Sequence, residues 1–384
     1  MNPLSLDYLH DRVRATWLIG IDNQRVLQLT EALYQQLHQR GESGSMPRIL
    51  LLEADAVNFL AGFFATVALG YPLFLGNPQW TTSEQYRVLE LIQPDAILTE
   101  GCWNEPPVFA VCADDQSSRY REPPCQAAEP VSIAGHIMIP TGGSSGYLQF
   151  AVHTWKTLTA SVQGFQQHLG VDRINSYCVL PLHHVSGLMQ CLRAYLSGGC
   201  LAWQPYKHLV DGEVLGIDPH DWFISLVPTQ LQRLLDQDRL TSTGSSLTAW
   251  LRQFRAVLVG GSPLWSALGE RARKLGLPLA PTYGMTETAS QVATLRPSEF
   301  LAGRAGVGRS LPHAQITIRD TNGYPLPTGT IGTIAIHATS LFLGYYPPLA
   351  SEPNAQSQQS LPSTGYLTDD LGFLDQDGYL QVVG

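Results

Sequence analysis

Positive charge is scarce in this chain. Its 384 residues hold 23 lysines and arginines against 32 aspartates and glutamates, a formal net charge of −9. A nucleic acid or an anionic membrane surface would favour a basic face, so neither is an expected partner. Anionic small ligands stay within reach, because backbone amides hold phosphate without net positive charge. Long apolar runs are missing too. The most apolar window, residues 56–75, is broken by Asn58, Gly62, Gly70 and Pro72. It reads as a buried helix leading into a strand, not as a membrane span. The start, Met1-Asn-Pro-Leu-Ser-Leu-Asp7, has no basic residues followed by an apolar run. No secretory signal is therefore expected, and the cytoplasm is the expected compartment. The six cysteines (Cys102, Cys112, Cys125, Cys178, Cys191, Cys200) form no CxxC pair and no zinc-like spacing. They read as buried or incidental thiols in a reducing compartment.

What is present is an ordinary globular composition, 44% hydrophobic and 14% charged, on a chain too long for one small core. Apolar runs alternate with helix-length segments through the first 300 residues, the α/β pattern. Strands are expected at 48–52, 71–75 and 96–98, with Asp55 capping the helix after the first and another helix at 83–92. Residues 113–130, rich in Pro, Ser, Gln and charge, read as a surface linker. A second α/β unit is expected to begin with a strand at 136–139. It continues through a helix at 155–169, a strand at 176–180, a helix at 229–236 and a strand at 256–259. Past residue 305, short alternating runs separated by Gly/Pro turns predict a small β-barrel or curled sheet, with a polar loop at 348–363. The expected division is 1–130, 131–304 and 305–384: two α/β sandwich subdomains with mostly parallel sheets, then a β-rich unit.

Three segments carry the chemistry. Pro140-Thr-Gly-Gly-Ser-Ser-Gly146 follows an apolar strand. Gly142, Gly143 and Gly146 permit positive φ, so that consecutive N–H groups converge on an anion. Thr141, Ser144 and Ser145 add hydroxyl donors for phosphate oxygens. The loop lacks the GK[ST] of a Walker A sequence. It matches the G-x-S-x-G of a serine hydrolase, but that elbow needs a helix after the serine. Here Leu148, Phe150 and Val152 alternate with polar or small residues, which is strand periodicity. A phosphate-binding hairpin is thus favoured over an inert Gly/Ser turn and over a nucleophilic Ser144. In Tyr283-Gly-Met-Thr-Glu-Thr288, Gly284 lets the backbone turn beside Tyr283, which offers a flat face to a base. Glu287 is the hard oxygen donor Mg²⁺ accepts, and Thr286 can donate to phosphate. Alone, Tyr283 would read equally well as a core tyrosine. The third segment, Thr368-Asp-Asp-Leu-Gly372, puts a carboxylate at a turn.

In this order the segments resemble those of the acyl-adenylate-forming superfamily: acyl-CoA synthetases, nonribosomal adenylation domains and luciferases. The correspondence runs from Asp55 to the last residue. Pro181-Leu-His-His184-Val-Ser-Gly187 is similar to its P-x-x-H-x-x-G segment, which implies a gating or acyl-orienting role for His184. A hydrogen-bonded structural histidine is the plainer alternative for His184, and His183 reads as structural. The resemblance further implies that Gly260 and Gly261 lie along adenine, that Thr286 binds phosphate and Glu287 magnesium, and that Asp370 holds the ribose hydroxyls. Gly76-Asn-Pro-Gln-Trp80 and Phe150-Ala-Val-His-Thr-Trp155 resemble the o-succinylbenzoate–CoA ligase branch, of menaquinone or phylloquinone synthesis.

The implied activity is ligation of a carboxylic acid to coenzyme A through an acyl-adenylate, with ATP, Mg²⁺ and coenzyme A required. o-Succinylbenzoate is the expected acid. Another aryl or fatty acid, in a pocket lined partly by 228–230 and 288–291, remains an alternative, as does a nucleotide-binding module without catalysis. Homo-oligomerisation is left open. Two departures stand out. The family loop ends in lysine where this chain has Gln149, and a neutral amide cannot neutralise leaving pyrophosphate, so weaker hold on ATP is expected. Family members also continue into a small mobile domain bearing a bridging lysine. A chain ending at Gly384 is accordingly expected to be truncated, to bind ATP or the adenylate, and to turn over poorly.

Overall fold

The computed structural model describes residues 2–41, 46–104, 133–141, 148–348 and 365–383. The linker expected at 113–130, loop residues 142–146 and all of the polar loop beyond residue 348 lie outside them.

Helix α1 (Leu6–Arg14) begins on Ser5, whose hydroxyl accepts from the Tyr8 N–H. Strand β1 (Leu18–Ile19) and α2 (Asn23–Gly41) follow. Then come β2 (Ile49–Leu51), α3 (Ala56–Leu69), β3 (Leu73–Leu75), α4 (Thr82–Ile92), β4 (Ala96–Thr99) and β5 (Cys102–Asn104). Asp55 caps α3 as expected, accepting from the Asn58 N–H, and Gly70 ends it at φ 68°, the left-handed turn that glycine takes without strain. A hairpin, β6 (His136–Thr141) and β7 (Gln149–Thr154), leads to α5 (Trp155–Leu169), β8 (Asn175–Cys178), α6 (Val185–Ser197) and β9 (Leu201–Trp203). Next are α7 (Tyr206–Val210), β10 (Trp222–Leu226), α8 (Pro228–Gln237), α9 (Leu247–Leu251), β11 (Ala256–Val259), α10 (Ser266–Lys274) and β12 (Leu279–Met285). The last elements are β13 (Ser290–Thr294), α11 (Pro297–Leu301), β14 (Arg309–Ser310), β15 (Ala314–Arg319), β16 (Gly332–Ala338), β17 (Tyr345–Tyr346), β18 (Tyr366–Leu374) and β19 (Leu380–Val382).

These strands form three sheets, ordered β1-β9-β8-β10-β11-β12-β13-β14, β17-β7-β6-β3-β2-β4-β5 and β15-β16-β18-β19. The first is parallel from β1 to β12 and closes with antiparallel β13 and β14. Helices α1–α3, α5 and α6 fill the space between the two large sheets, where Phe59, Phe63, Leu158, Phe165 and Leu192 share one core with Leu51, Leu73 and Leu258. Each fully buried phenylalanine or leucine there stabilises the fold by roughly 1.5–3 kcal/mol. Helix α4 covers the outer face of the seven-stranded sheet through Val88 and Ile92. Helices α7–α10 cover the outer face of the eight-stranded one through Leu209, Leu231, Trp250 and Leu268. The α/β sandwich expected from the sequence is thus built.

The strand at 136–139 does not open a second unit. Strand β6 pairs parallel with β3, Leu73 opposite Ile137, so the hairpin belongs to the seven-stranded sheet. Strand β17, from far along the chain, extends that sheet antiparallel to β7, and β1 joins the eight-stranded sheet beside β9. Periodicity marks a segment as a strand but carries no information about which distant strand completes its hydrogen bonds. Beyond residue 305 the curled β unit is the four-stranded antiparallel sheet, whose Ile316, Ile318, Ile334 and Ile336 point to one side and pack with Val292 and Tyr283. Among the described residues, no helix is long and apolar enough to cross a membrane.

Candidate active site

Strands β8, β10, β11 and β12 lie side by side and run the same way, with Tyr177 opposite Ile224, Leu226 opposite Val259, and Val259 opposite Pro281. The segments that leave their carboxyl ends therefore share one edge of the sheet, the place where open α/β sheets bind ligands. Along it stand the His183–His184 turn, Val227, Gly260–Gly261 and Tyr283–Met285.

Gly260 and Gly261 leave bare backbone there. A Cβ on Gly260 would come within 2.3 Å of the Thr282 Oγ1, and Gly261 adopts φ 79°. Gly284 is required for a different reason: its Cβ would sit 2.1 Å from the Ser290 carbonyl oxygen, at the register shift between Tyr283 and Gly284. The close approach of β12 and β13 folds Thr286, Glu287 and Thr288 into one tight turn. Ala289 and Ser290, just after it, hold positive φ of 51° and 86°, a conformation that costs of order 1–3 kcal/mol per residue. Hydroxyls from elsewhere hold it: Ser161 donates to the Ala289 carbonyl at 2.7 Å and Ser340 to that of Thr288 at 2.9 Å.

On one side of this turn, the buried Tyr283 ring packs in the core of the small sheet and its hydroxyl donates to Asp370 Oδ2 at 2.7 Å. Burial foremost, with Asp370 adding to it, pushes the phenol above its ordinary pKa. Asp370 is half-buried on β18, where its N–H donates to Thr368 Oγ1 at 3.2 Å. On the other side, Glu287 is only 8% exposed, and its Oε1 accepts from the Tyr345 hydroxyl at 2.8 Å. Half-buried Thr286 presents its carbonyl to His153 Nε2 at 2.8 Å. A carbonyl only accepts, so Nε2 carries the hydrogen; Nδ1 faces the Thr157 hydroxyl at 3.0 Å. Complete burial lowers the pKa of His153 to about 4, which keeps it neutral.

Thr141 ends β6 opposite Gln149, the residue that opens β7. Both strands of this hairpin pack against the Thr286–Thr288 turn. Gly142, Gly143, Ser144, Ser145 and Gly146 lie outside the described residues. His184 is exposed immediately before α6, against the buried His183 at a ring distance of 4.5 Å. It stands three strands from Tyr283 along the sheet edge, about 14 Å at the usual strand spacing of roughly 4.8 Å. Tyr283, Gly284, Thr286, Glu287 and Asp370 are thus gathered around one turn, Gly260 lies against Thr282 on the strand that leads into it, and His184 is set apart on the same edge.

Four further residues bear on this region. Tyr345 and Tyr366 belong to no motif that would have marked them, and His153 lies inside the Phe150–Trp155 segment without having been singled out. Arg193 had a signal: it is the sole charge in helix α6. It is 2% exposed, stacks over Phe165 at 4.4 Å, and donates through Nη2 to Ser290 Oγ and Gln291 Oε1 at 3.1 and 3.2 Å. Its Nε lacks a hydrogen-bond partner among the described residues. Burial lowers its pKa to about 10, so it stays a cation at neutral pH. None of the ion pairs among the described residues involves Arg193 or Glu287. No cluster of three or more His, Cys, Asp or Glu suited to a metal ion occurs among the described residues. A single carboxylate nevertheless fits Mg²⁺, which takes one or two protein carboxylates and draws its other ligands from phosphate and water.

Fold and site together define a class of nucleotide-using enzymes. The sequence model of the AMP-binding enzyme family matches residues 23–346, and the chain belongs to that family. Among curated relatives, the 2-succinylbenzoate–CoA ligase of Lactococcus lactis subsp. lactis is 26% identical over 370 residues, covering 94% of this chain and 73% of the relative. That of Geobacillus kaustophilus is 30% identical over 260 residues, covering 66% of this chain and 49% of the relative. The chain matches about half the length of the latter. Among solved structures, the o-succinylbenzoate CoA synthetase of Bacillus subtilis, in complex with its acyl-adenylate intermediate, shares the fold with a TM-score of 0.74. Its sequence identity is 23%, covering 98% of this chain and 77% of that one.

Proposed function

We propose that this chain activates a carboxylic acid with ATP as an acyl-adenylate for transfer to coenzyme A, and that the acid is o-succinylbenzoate. The observation that carries the reading is the gathering of Tyr283, Thr286, Glu287 and Asp370 around one turn at the carboxyl edge of the parallel strands. Asp370 accepts from the ribose hydroxyls, and adenine lies along the Gly260–Gly261 backbone toward Tyr283. The Thr286 hydroxyl and the loop residues from Thr141 to Gly146 donate to phosphate oxygens. Glu287 would hold Mg²⁺, which would supply positive charge to offset that of the phosphates.

In the first step a carboxylate oxygen attacks the α-phosphorus. The bond to the bridging oxygen breaks, and pyrophosphate leaves with the electron pair. The chain positions the two reactants and provides donors where charge develops. In the second step the thiolate of coenzyme A attacks the acyl carbon and AMP leaves. His184, three strands away on the same edge, would orient the acyl group. Arg193 favours an acid with a second carboxylate. Among the described residues no anion pairs with it, an arrangement that costs several kcal/mol for a buried cation, and one carboxylate of o-succinylbenzoate placed beside Ser290 and Gln291 would compensate it while the other reacts.

Acid-dependent ATP–pyrophosphate exchange tests the reading, with o-succinylbenzoate, an aryl monocarboxylate and a fatty acid compared. Exchange with o-succinylbenzoate at least tenfold above the others is expected. Exchange with another acid would replace the substrate. ATP binding without exchange for any acid would leave a nucleotide-binding module.

A further inference from the structure

A carboxylate as buried as Glu287 ordinarily has a cation beside it. Here one oxygen is met by a phenol, and that phenol is met by another: Tyr345 donates to Glu287 Oε1 at 2.8 Å, and the Tyr345 and Tyr366 oxygens are 3.0 Å apart. Tyr345 has one hydroxyl hydrogen, and a carboxylate can only accept it. Tyr366 is therefore the donor in the second bond, and the order runs Tyr366 to Tyr345 to Glu287. Each bond polarises the next, which strengthens the last one onto the charged oxygen.

The phenol is held in place from two directions. The Phe342 N–H donates to the carbonyl of Glu287 itself at 2.8 Å. Leu343 N–H then donates to the Val152 carbonyl at 2.8 Å, Val152 N–H to the Gly344 carbonyl at 2.9 Å, and Tyr345 pairs opposite Ala151. The segment carrying Tyr345 thus bridges the Glu287 turn and β7, the strand on which the glycine-rich loop ends. Both phenol rings pack edge-on against Phe342, at 4.8 and 5.2 Å.

We propose that Tyr345, backed by Tyr366, is a positioning residue for Glu287: it occupies one carboxylate oxygen and aims the other at Mg²⁺ carried in with ATP. The proposal rests on the functional reading above and adds to it the device that orients the metal-binding group. Partners that orient a metal ligand typically change metal affinity 10–100-fold when removed. Tyr345→Phe keeps the ring against Phe342 and removes only the hydroxyl.

The test measures ATP binding by calorimetry across a Mg²⁺ titration, AMP binding without metal, and the melting temperature of the free protein. Mn²⁺ in place of Mg²⁺, followed by electron paramagnetic resonance, reports the bound ion directly. Tyr345→Phe is expected to raise the Mg²⁺ concentration for half-maximal ATP binding about tenfold, to weaken Mn²⁺ binding in parallel, and to leave metal-free AMP affinity within twofold. Tyr366→Phe should shift the same midpoint two- to threefold, which keeps the test decisive should Tyr345→Phe fold poorly. An unmoved Mg²⁺ midpoint in Tyr366→Phe and any folded Tyr345→Phe, or an equal loss of AMP affinity, overturns the proposal. If the unaltered chain binds Mg–ATP yet supports no acid-dependent exchange, the ligase reading fails while this one survives. If it binds no Mg–ATP at all, both fall.

Discussion

Two tyrosine–carboxylate pairs flank the same turn and behave as opposites. In Tyr283–Asp370, at 2.7 Å, the phenol belongs to the eight-stranded sheet and the carboxylate to the small sheet. In Glu287–Tyr345, at 2.8 Å, the carboxylate follows the eight-stranded sheet and the phenol comes from the edge of the seven-stranded one. Asp370 is half-buried, whereas Glu287 is buried, at 8% exposure. A half-solvated carboxylate suits neutral hydroxyls such as those of a ribose, because little of its charge needs compensation. A buried one with no cation paired to it among the described residues suits, on the proposed reading, a metal ion. On that reading, one pairing chemistry would serve two tasks because burial differs.

The comparison breaks most sharply at Glu287. Glu287→Gln should weaken Mg²⁺-dependent ATP binding by more than about 100-fold, beyond the usual effect of an outer partner of a metal site, while metal-free AMP binding changes little. Calorimetry with and without Mg²⁺ checks both halves, and equal losses in the two titrations would erase the contrast. Gly284→Ala attacks the turn that both pairs flank. Its Cβ would meet backbone, which cannot rotate away, so a loss of about 1–3 kcal/mol in urea unfolding is expected, and unchanged stability would show that β12 and β13 need not approach so closely.

Asp370→Asn should reduce AMP affinity about tenfold, in line with roughly 1.5 kcal/mol for a hydrogen bond to a charged group, and leave the Mg²⁺ midpoint in place. A shifted midpoint would count against the division of labour. His153 holds the turn through the Thr286 carbonyl, and its effect is on stability against pH. Its folded pKa lies near 4, below the ordinary 6.5. Between those values the unfolded chain binds a proton that the folded chain does not, so stability falls as pH drops through that window, by up to about 1.4 kcal/mol per unit. His153→Gln retains a donor for the Thr286 carbonyl but does not titrate. The melting-temperature gap between the two proteins should therefore shrink from pH 7 to pH 5, and a constant gap would exclude His153 from acid sensitivity. Tyr283→Phe should be mildest. Asp370 keeps water to replace the lost hydroxyl, so about a twofold change in AMP affinity is expected, below 1 kcal/mol. A larger loss would mean that the pair is less solvated than its exposure implies.

Much of this site could be read before any fold was known. Gly284 between an aromatic ring and a Thr-Glu pair announced a tight backbone turn, and the structure gives the reason in the 2.1 Å approach to Ser290. Asp55 as a cap and the helix at 155–169 followed from local rules and are present as expected. Tyr345 and Tyr366 could not be found that way. Each is one tyrosine among 15, and their value comes from β17 pairing with β7 across nearly 200 residues of chain. Arg193 was half legible, since its charge is anomalous in α6, but nothing local says that it ends against Ser290 and Gln291. The hairpin at 136–154 was correctly extended and wrongly allotted, because a strand's pattern records its burial and not its neighbours.

From the amino-acid order alone came the alternation of helices and strands, the places where only glycine serves, and the types of group offered to a nucleotide. These depend on local sterics and side-chain chemistry, which act over a few residues. The tertiary structure alone decided which carboxylate is buried and which is half-exposed, which phenol reaches each, and that a strand from far along the chain brings Tyr345 to Glu287. Burial and strand pairing join segments distant in sequence, and desolvation, which sets the strength of every charge in the site, exists only once they have met.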